Sequence, residues 1–177
     1  MSSIPVTVFD CRVFLQGLLS KSGPAVACLE FTEQDRLRLV ISEEVLAEIK
    51  DVLSRPWLRE KYPNLTVEKV ENLIEMLLDK AEFVKEVPKH FTYSRDPNDE
   101  PYLNLAIETK ADYIVSRDND LLDLMTDYTD EAKEFRQRFR PLKVVQQPGF
   151  CKSCGNAICL CIPKKLFSRS LTSSVTD

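Results

Sequence analysis

Two spacings of apolar residues alternate along this chain. Short apolar runs at Val6–Phe9, Leu37–Ile41, Phe83–Val87, Asp112–Val115 and Leu142–Val145 read as strands. Between them, apolar positions recur at helical spacing. One stripe is Val13, Phe14, Leu18 and Leu19, and another is Val45, Leu46, Ile49, Val52 and Leu53. A third is Val70, Leu73, Ile74, Leu77 and Leu78, and a fourth Leu103, Ala106 and Ile107. Ala25–Phe31 and Leu121–Met125 predict shorter helices, and Thr129–Phe139 is charged but helical in character. Residues at the joints agree with this division. Pro24 suits a first helical turn, and Ser42 and Thr66 suit N-caps, with Glu43 and Glu44 placed favourably in the first turn after Ser42. Arg55-Pro56 stops a helix, and Trp57–Asn64 reads as a loop. Strands alternating with helices predict an α/β fold with a mostly parallel sheet.

Length and composition bound this picture without changing it. The 177 residues suit one domain with an appendage, and 44% hydrophobic content is ordinary for a globular core. Pro148-Gly149 closes the patterned part, so residues 1–149 are expected to form the domain and 150–177 a Cys-rich, basic tail. No run is long and apolar enough to span a bilayer, and the N-terminus lacks a signal-peptide pattern; a soluble, cytoplasmic protein is expected. The net charge of -4 conceals an asymmetry: no Asp or Glu falls between Phe135 and Thr176, where 8 of the 24 basic residues lie. Such a segment can neutralise phosphates, or simply solubilise the chain.

The candidate chemistry lies in acids at element ends. Asp10 and Asp118 follow apolar strands, Asp99 stands at the start of a helix after the turn Asp96-Pro97-Asn98-Asp99, and Glu48 sits near the start of another helix. In an open parallel sheet the strand C-termini share one edge, where ligands bind. Carboxylates crowded there repel one another, and a hard divalent cation such as magnesium or manganese relieves the repulsion. Two such ions can activate water and stabilise a leaving oxygen in phosphodiester hydrolysis. Asp also caps helices and opens turns, so each acid taken singly has a structural reading as well.

Four short motifs in order resemble those of PIN-domain proteins, often toxin components of toxin–antitoxin pairs. The resemblance covers roughly residues 5 to 149. Its motifs are Val6-Thr7-Val8-Phe9-Asp10-Cys11-Arg12-Val13, Ile41–Ile49 with Glu48, Arg95-Asp96-Pro97-Asn98-Asp99, and Tyr113–Asp120 with Asp118. It implies a three-layer α/β/α fold and metal-dependent cleavage of RNA. It also implies magnesium or manganese held by Asp10, Glu48, Asp99 and Asp118, with Asp96 and Asp120 supporting. An antitoxin protein and a homodimer become candidate partners. The family's first Asp is followed by Thr-Asn, and here by Cys11-Arg12. Arg12 cannot ligate a metal; its cation can displace one, pair with an acid of the cluster or contact a phosphate. Two functions therefore stay open: a metal-dependent endoribonuclease, and a catalytically impaired PIN-like module that binds RNA or a protein partner.

Outside this constellation, Cys151-Lys152-Ser153-Cys154-Gly155 and Cys159-Leu160-Cys161 are a candidate zinc site of four thiolates, with a reduced or redox-active pair as the rival. Cys28, Phe9, Phe14, Phe31 and Phe83 read as core. Trp57, Tyr62 and Tyr93 read as loop residues, and His90 as a solvated one.

Overall fold

The computed structural model describes residues 4–155, the side chains of 153–155 excepted. Five strands form one sheet: β1 (Val6–Phe9), β2 (Arg38–Ser42), β3 (Glu82–Val84), β4 (Tyr113–Val115) and β5 (Lys143–Val145). All pairings are parallel, and the order is β3-β2-β1-β4-β5. Helices flank the sheet as a three-layer α/β/α fold: α1 (Cys11–Leu19), α2 (Pro24–Glu33), α3 (Glu43–Ser54), α4 (Pro56–Lys61), α5 (Val67–Lys80), α6 (Glu100–Glu108), α7 (Asn119–Thr126), α8 (Asp130–Arg138) and α9 (Gln147–Gly155). Among the described residues no helix is long and apolar enough to cross a membrane.

Strand order positions the site. The chain lays β2 and β3 on one side of β1, then returns to lay β4 and β5 on the other. The strand order therefore reverses between β1 and β4, the point at which open α/β sheets leave a crevice beyond the strand C-termini. Phe9 is in register with Val115, so the chain leaves both strands side by side. Val8, Ile114 and Val115 are fully buried beneath that crevice, in a core shared with Phe14, Leu39 and Ile49.

Several elements depart from the sequence pattern. β3 spans Glu82–Val84 rather than Phe83–Val87, and Phe83 is exposed instead of core. As the edge strand, β3 has a neighbour on one side only, and cover is thin there. The stretch read as a loop at Trp57–Asn64 contains α4, which Pro56 starts at the position where a missing N–H costs nothing. His90 is half-buried, with Nε2 2.5 Å from Glu108 Oε2, rather than solvated. Beyond β5 the chain continues as α9 across position 149, and Phe150 is fully buried, edge-on to Phe9 and Tyr113.

Candidate active site

The site begins at the ends of β1 and β4. Asp10 leaves β1 in extended backbone and caps α1: its Oδ1 accepts from the N–H groups of Arg12 at 2.6 Å and Val13 at 3.2 Å. Its other oxygen accepts from the hydroxyl of Ser116, the first residue after β4. Ser116 Oγ in turn accepts from the N–H of Asp118 at 2.8 Å. One fully buried hydroxyl therefore ties the two strand ends together. Asp118 caps α7, accepting from the Asp120 N–H at 3.1 Å.

Asp99 behaves differently. It ends a short 3₁₀ turn (Pro97–Asp99) and occupies the cap position of α6, yet its side chain makes no capping hydrogen bond. It is only 8% exposed, and its Oδ2 is buried without a partner. Burial, then the nearby charges of Asp96, Asp118, Asp10 and Asp120, push its carboxyl up to about 7. An acid left without the bond its position normally makes is a place where something else is expected to bind.

Asp10, Glu48, Asp96, Asp99 and Asp118 line one open cleft of about 600 Å³, together with Arg12. Burial raises the carboxyls of Asp10 and Glu48 above the usual carboxylate range. Glu48 Oε2 accepts from Tyr102 at 2.8 Å, and burial and Glu48 keep that phenol protonated by raising it far above its ordinary value. Arg12 crosses to Asp118, Nη2 to Oδ2 2.8 Å. Cys11 is buried, its thiol pushed up to about 12 by burial and by Glu48 and Asp10, so it stands here as a neutral apolar group. Asp120 is turned to Arg95 at 2.7 Å and does not line the cleft. Of the candidate zinc ligands, Cys159 and Cys161 and the side chain of Cys154 lie outside the described residues. Cys151 Sγ is 3.7 Å from the Pro24 carbonyl oxygen and in contact with the Cys28 thiol.

The pattern of residues did not single out Ser116 or Tyr102. Ser116 could have been found as the position after β4 equivalent to Asp10 after β1; Tyr102, in the first turn of α6, had no comparable signal.

Hard carboxylate oxygens and an orphaned, buried Asp99 Oδ2 suit a divalent cation in kind. In placement they fall short: among the described residues no three acids, histidines or cysteines stand close enough together to hold a metal ion. Much of the cluster is already engaged, Asp118 by Arg12, Glu48 by Tyr102 and Asp10 by Ser116 and two N–H groups.

The pattern of the PIN domain matches residues 6–120, which hold every acid of this cleft. The chain belongs to the PIN-domain family. Proteins with this domain are generally nucleases. A chain in the crystal structure of VapBC2 from Rickettsia felis bound to a DNA fragment from their promoter is similar, with a TM-score of 0.49 and 16% identity over 80% of this PIN protein and 98% of that chain. No curated protein matches.

Proposed function

We propose that this PIN domain hydrolyses RNA phosphodiesters in a cation-dependent reaction at the cleft. One observation carries the reading: Asp99, buried and without a partner, faces the same cleft as Asp10 and Asp118. A magnesium or manganese ion drawn to these carboxylates would supply positive charge that polarises water and stabilises a leaving oxygen. For Asp10, Asp99 and Asp118 to hold it, with Glu48 and Asp96 beside them, their side chains would first have to close together. As they stand, no three acids among the described residues are within reach of one ion. The protein's own residues do the positioning. Ser116 holds Asp10 against the Asp118 backbone, and Tyr102 orients Glu48. Arg12 and Arg55 are the cations lining the cleft, where they can meet a phosphate. Of the basic residues after Phe135, Arg136, Arg138, Arg140 and Lys143 do not line this cleft; Arg136, Arg140 and Lys143 line a separate pocket with Lys133.

The test is cleavage of single-stranded RNA with manganese, with and without chelator, by wild type and Asp118→Asn. Loss of cleavage on chelation and on substitution supports the reading; cleavage indifferent to both removes it. A role as the toxin of a toxin–antitoxin pair belongs to the same proposal, and expression of the chain would then arrest growth, with Asp118→Asn relieving the arrest.

The ion pair between Arg12 and Asp118 favours a second reading, a catalytically impaired module that binds RNA or a protein partner. RNA binding without cleavage by wild type, and cleavage acquired by Arg12→Asn, would select it.

A further inference from the structure

Lys133, Arg136, Arg140 and Lys143 line a pocket of about 490 Å³ that has no acid in its wall. It lies between α7, α8 and the start of β5, at the N-terminal edge of the sheet, whereas the acidic cleft lies beyond the strand C-termini. Lys133, Arg140 and Lys143 are exposed. Arg136 is half-buried and fixed in place: Nη1 donates to the Leu124 carbonyl at 2.6 Å and Nη2 to that of Asp127 at 2.8 Å. Those carbonyls end α7, so Arg136 also complements the negative end of that helix. Arg140 Nε donates to the Arg136 carbonyl at 3.3 Å. Among the described residues, Arg136, Arg140 and Lys143 have no carboxylate within ion-pair distance, and Lys133 is 3.6 Å from Asp130, whose side chain is fully exposed. The cations of the acidic cleft differ in this respect. Arg12 is paired with Asp118 at 2.8 Å, and Arg55 with Asp51 at 2.7 Å.

We propose that this pocket is a second contact for RNA, gripping its phosphodiester backbone outside the cleft through Lys133, Arg140 and Lys143. The inference rests on the RNA reading of the cleft given above. The chain carries a net charge of -4 and the cleft gathers acids, so a polyanion is repelled where it would react. Attraction has to come from cations elsewhere, and this pocket presents them without competing carboxylates in its wall. One helix joins the two places. Asp118, the cap of α7, lines the cleft, and Met125, near the other end of α7, lines the pocket. Positions 118 and 125 are separated by a rise of about 10 Å along the helix, a span of a few nucleotides. Among the described residues no aromatic ring lines the pocket, so bases have no stacking surface there. Recognition therefore falls on phosphate charge and is independent of sequence.

Fluorescence anisotropy of labelled oligouridylate with the full chain, over a salt series in chelator so that nothing is cleaved, tests this. Lys133→Gln, Arg140→Gln and Lys143→Gln together are expected to weaken binding at least about ten-fold at low salt. They should also flatten the slope of log affinity against log salt by about 2, the change expected for three single-strand phosphate contacts. Arg136 is left in place because it holds the end of α7. A control variant removes the same charge from exposed positions away from the pocket, Lys50→Gln, Lys61→Gln and Lys85→Gln, and is expected to stay within about three-fold of wild type. Calorimetric titration with inorganic phosphate alone is expected to show no saturable binding. Saturable phosphate binding that the pocket variant loses would assign the pocket to a free phosphate and overturn the inference. A pocket variant that binds RNA as wild type does, or a control that loses as much, overturns it while leaving the nuclease reading standing. No binding of oligouridylate by wild type also overturns it, and the manganese cleavage assay run alongside decides the nuclease reading independently.

Discussion

Around Arg95, three carboxylates converge on one guanidinium: Asp120 at 2.7 Å, Asp123 at 2.8 Å and Asp127 at 3.6 Å. Around Arg12 the acids outnumber what the arginine reaches. It touches Asp118 and leaves Asp99 buried with an unpartnered oxygen and a carboxyl pushed up to about 7. The two clusters share residue types and lie on neighbouring turns of chain, since Asp118 and Asp120 are two residues apart. In the first, charge is resolved within the protein at an exposed surface. In the second, it is left unresolved in a cleft at the strand reversal. Acidic content alone does not mark a site; acids that folding gathers and then leaves without partners do.

The largest expected difference between the clusters is catalytic. Asp118→Asn, or Asp10→Asn (which keeps a helix-capping side chain), is expected to lower manganese-dependent RNA cleavage by at least about 100-fold, on the scale of losing one electrostatic contact to the reacting group. Arg95→Ala should leave the rate within about two-fold if its cluster is purely structural, where about two-fold lies below the effect of any such contact. Equal losses in both would erase the distinction.

Next in size is the tie between strand ends. Ser116→Ala leaves a buried Asp10 oxygen without its donor, and is expected to cost about 2 kcal/mol in urea unfolding. A cost near zero would mean that the hydroxyl does not hold the two strands together.

Asp99 should behave in the opposite sense. Its folded-state pKa is raised above the unfolded value, so the folded chain binds the extra proton between about pH 4 and 7 and loses stability as pH rises through that window. Asp99→Asn is then expected to be about 1–2 kcal/mol more stable than wild type at pH 8, after allowing for solvent screening, and unchanged at pH 3. Saturating manganese should reverse the order at pH 8 by stabilising wild type alone. Thermal melts at the two pH values check this, and a variant less stable at pH 8 would contradict the crowding. Smallest is Arg95→Ala, whose exposed pairs should move the thermal midpoint by no more than a few degrees, and less at high salt.

Much of the frame was legible residue by residue. Ser42 and Thr66 cap the helices that follow them, accepting from Val45 N–H at 3.2 Å and Lys69 N–H at 3.3 Å, because capping needs only neighbours in sequence. Asp10 and Asp118 were visible as acids after apolar strands. The capping reading of these acids also holds for Asp10, Asp96 and Asp118, and fails for Asp99, a difference that residue type cannot display. Phe83 went the other way from its local pattern, and Phe150 is a core residue that no local pattern marked. One lies on an edge strand with thin cover, and the other is buried against Phe9 and Tyr113 beyond the apparent end of the domain.

By itself the chain determined its alternation of strands and helices, their caps, and the supply of acids at their ends, since periodicity and capping act over a few residues. The tertiary structure decided which acids share a cleft. Asp118 and Asp99 meet at the reversal of strand order while Asp120 turns away to Arg95, because strand order and crossovers join residues 54 to 108 positions apart, such as Glu48 with Tyr102 and Asp10 with Asp118. Distances of that kind are written in packing between layers, not in any local run of side chains.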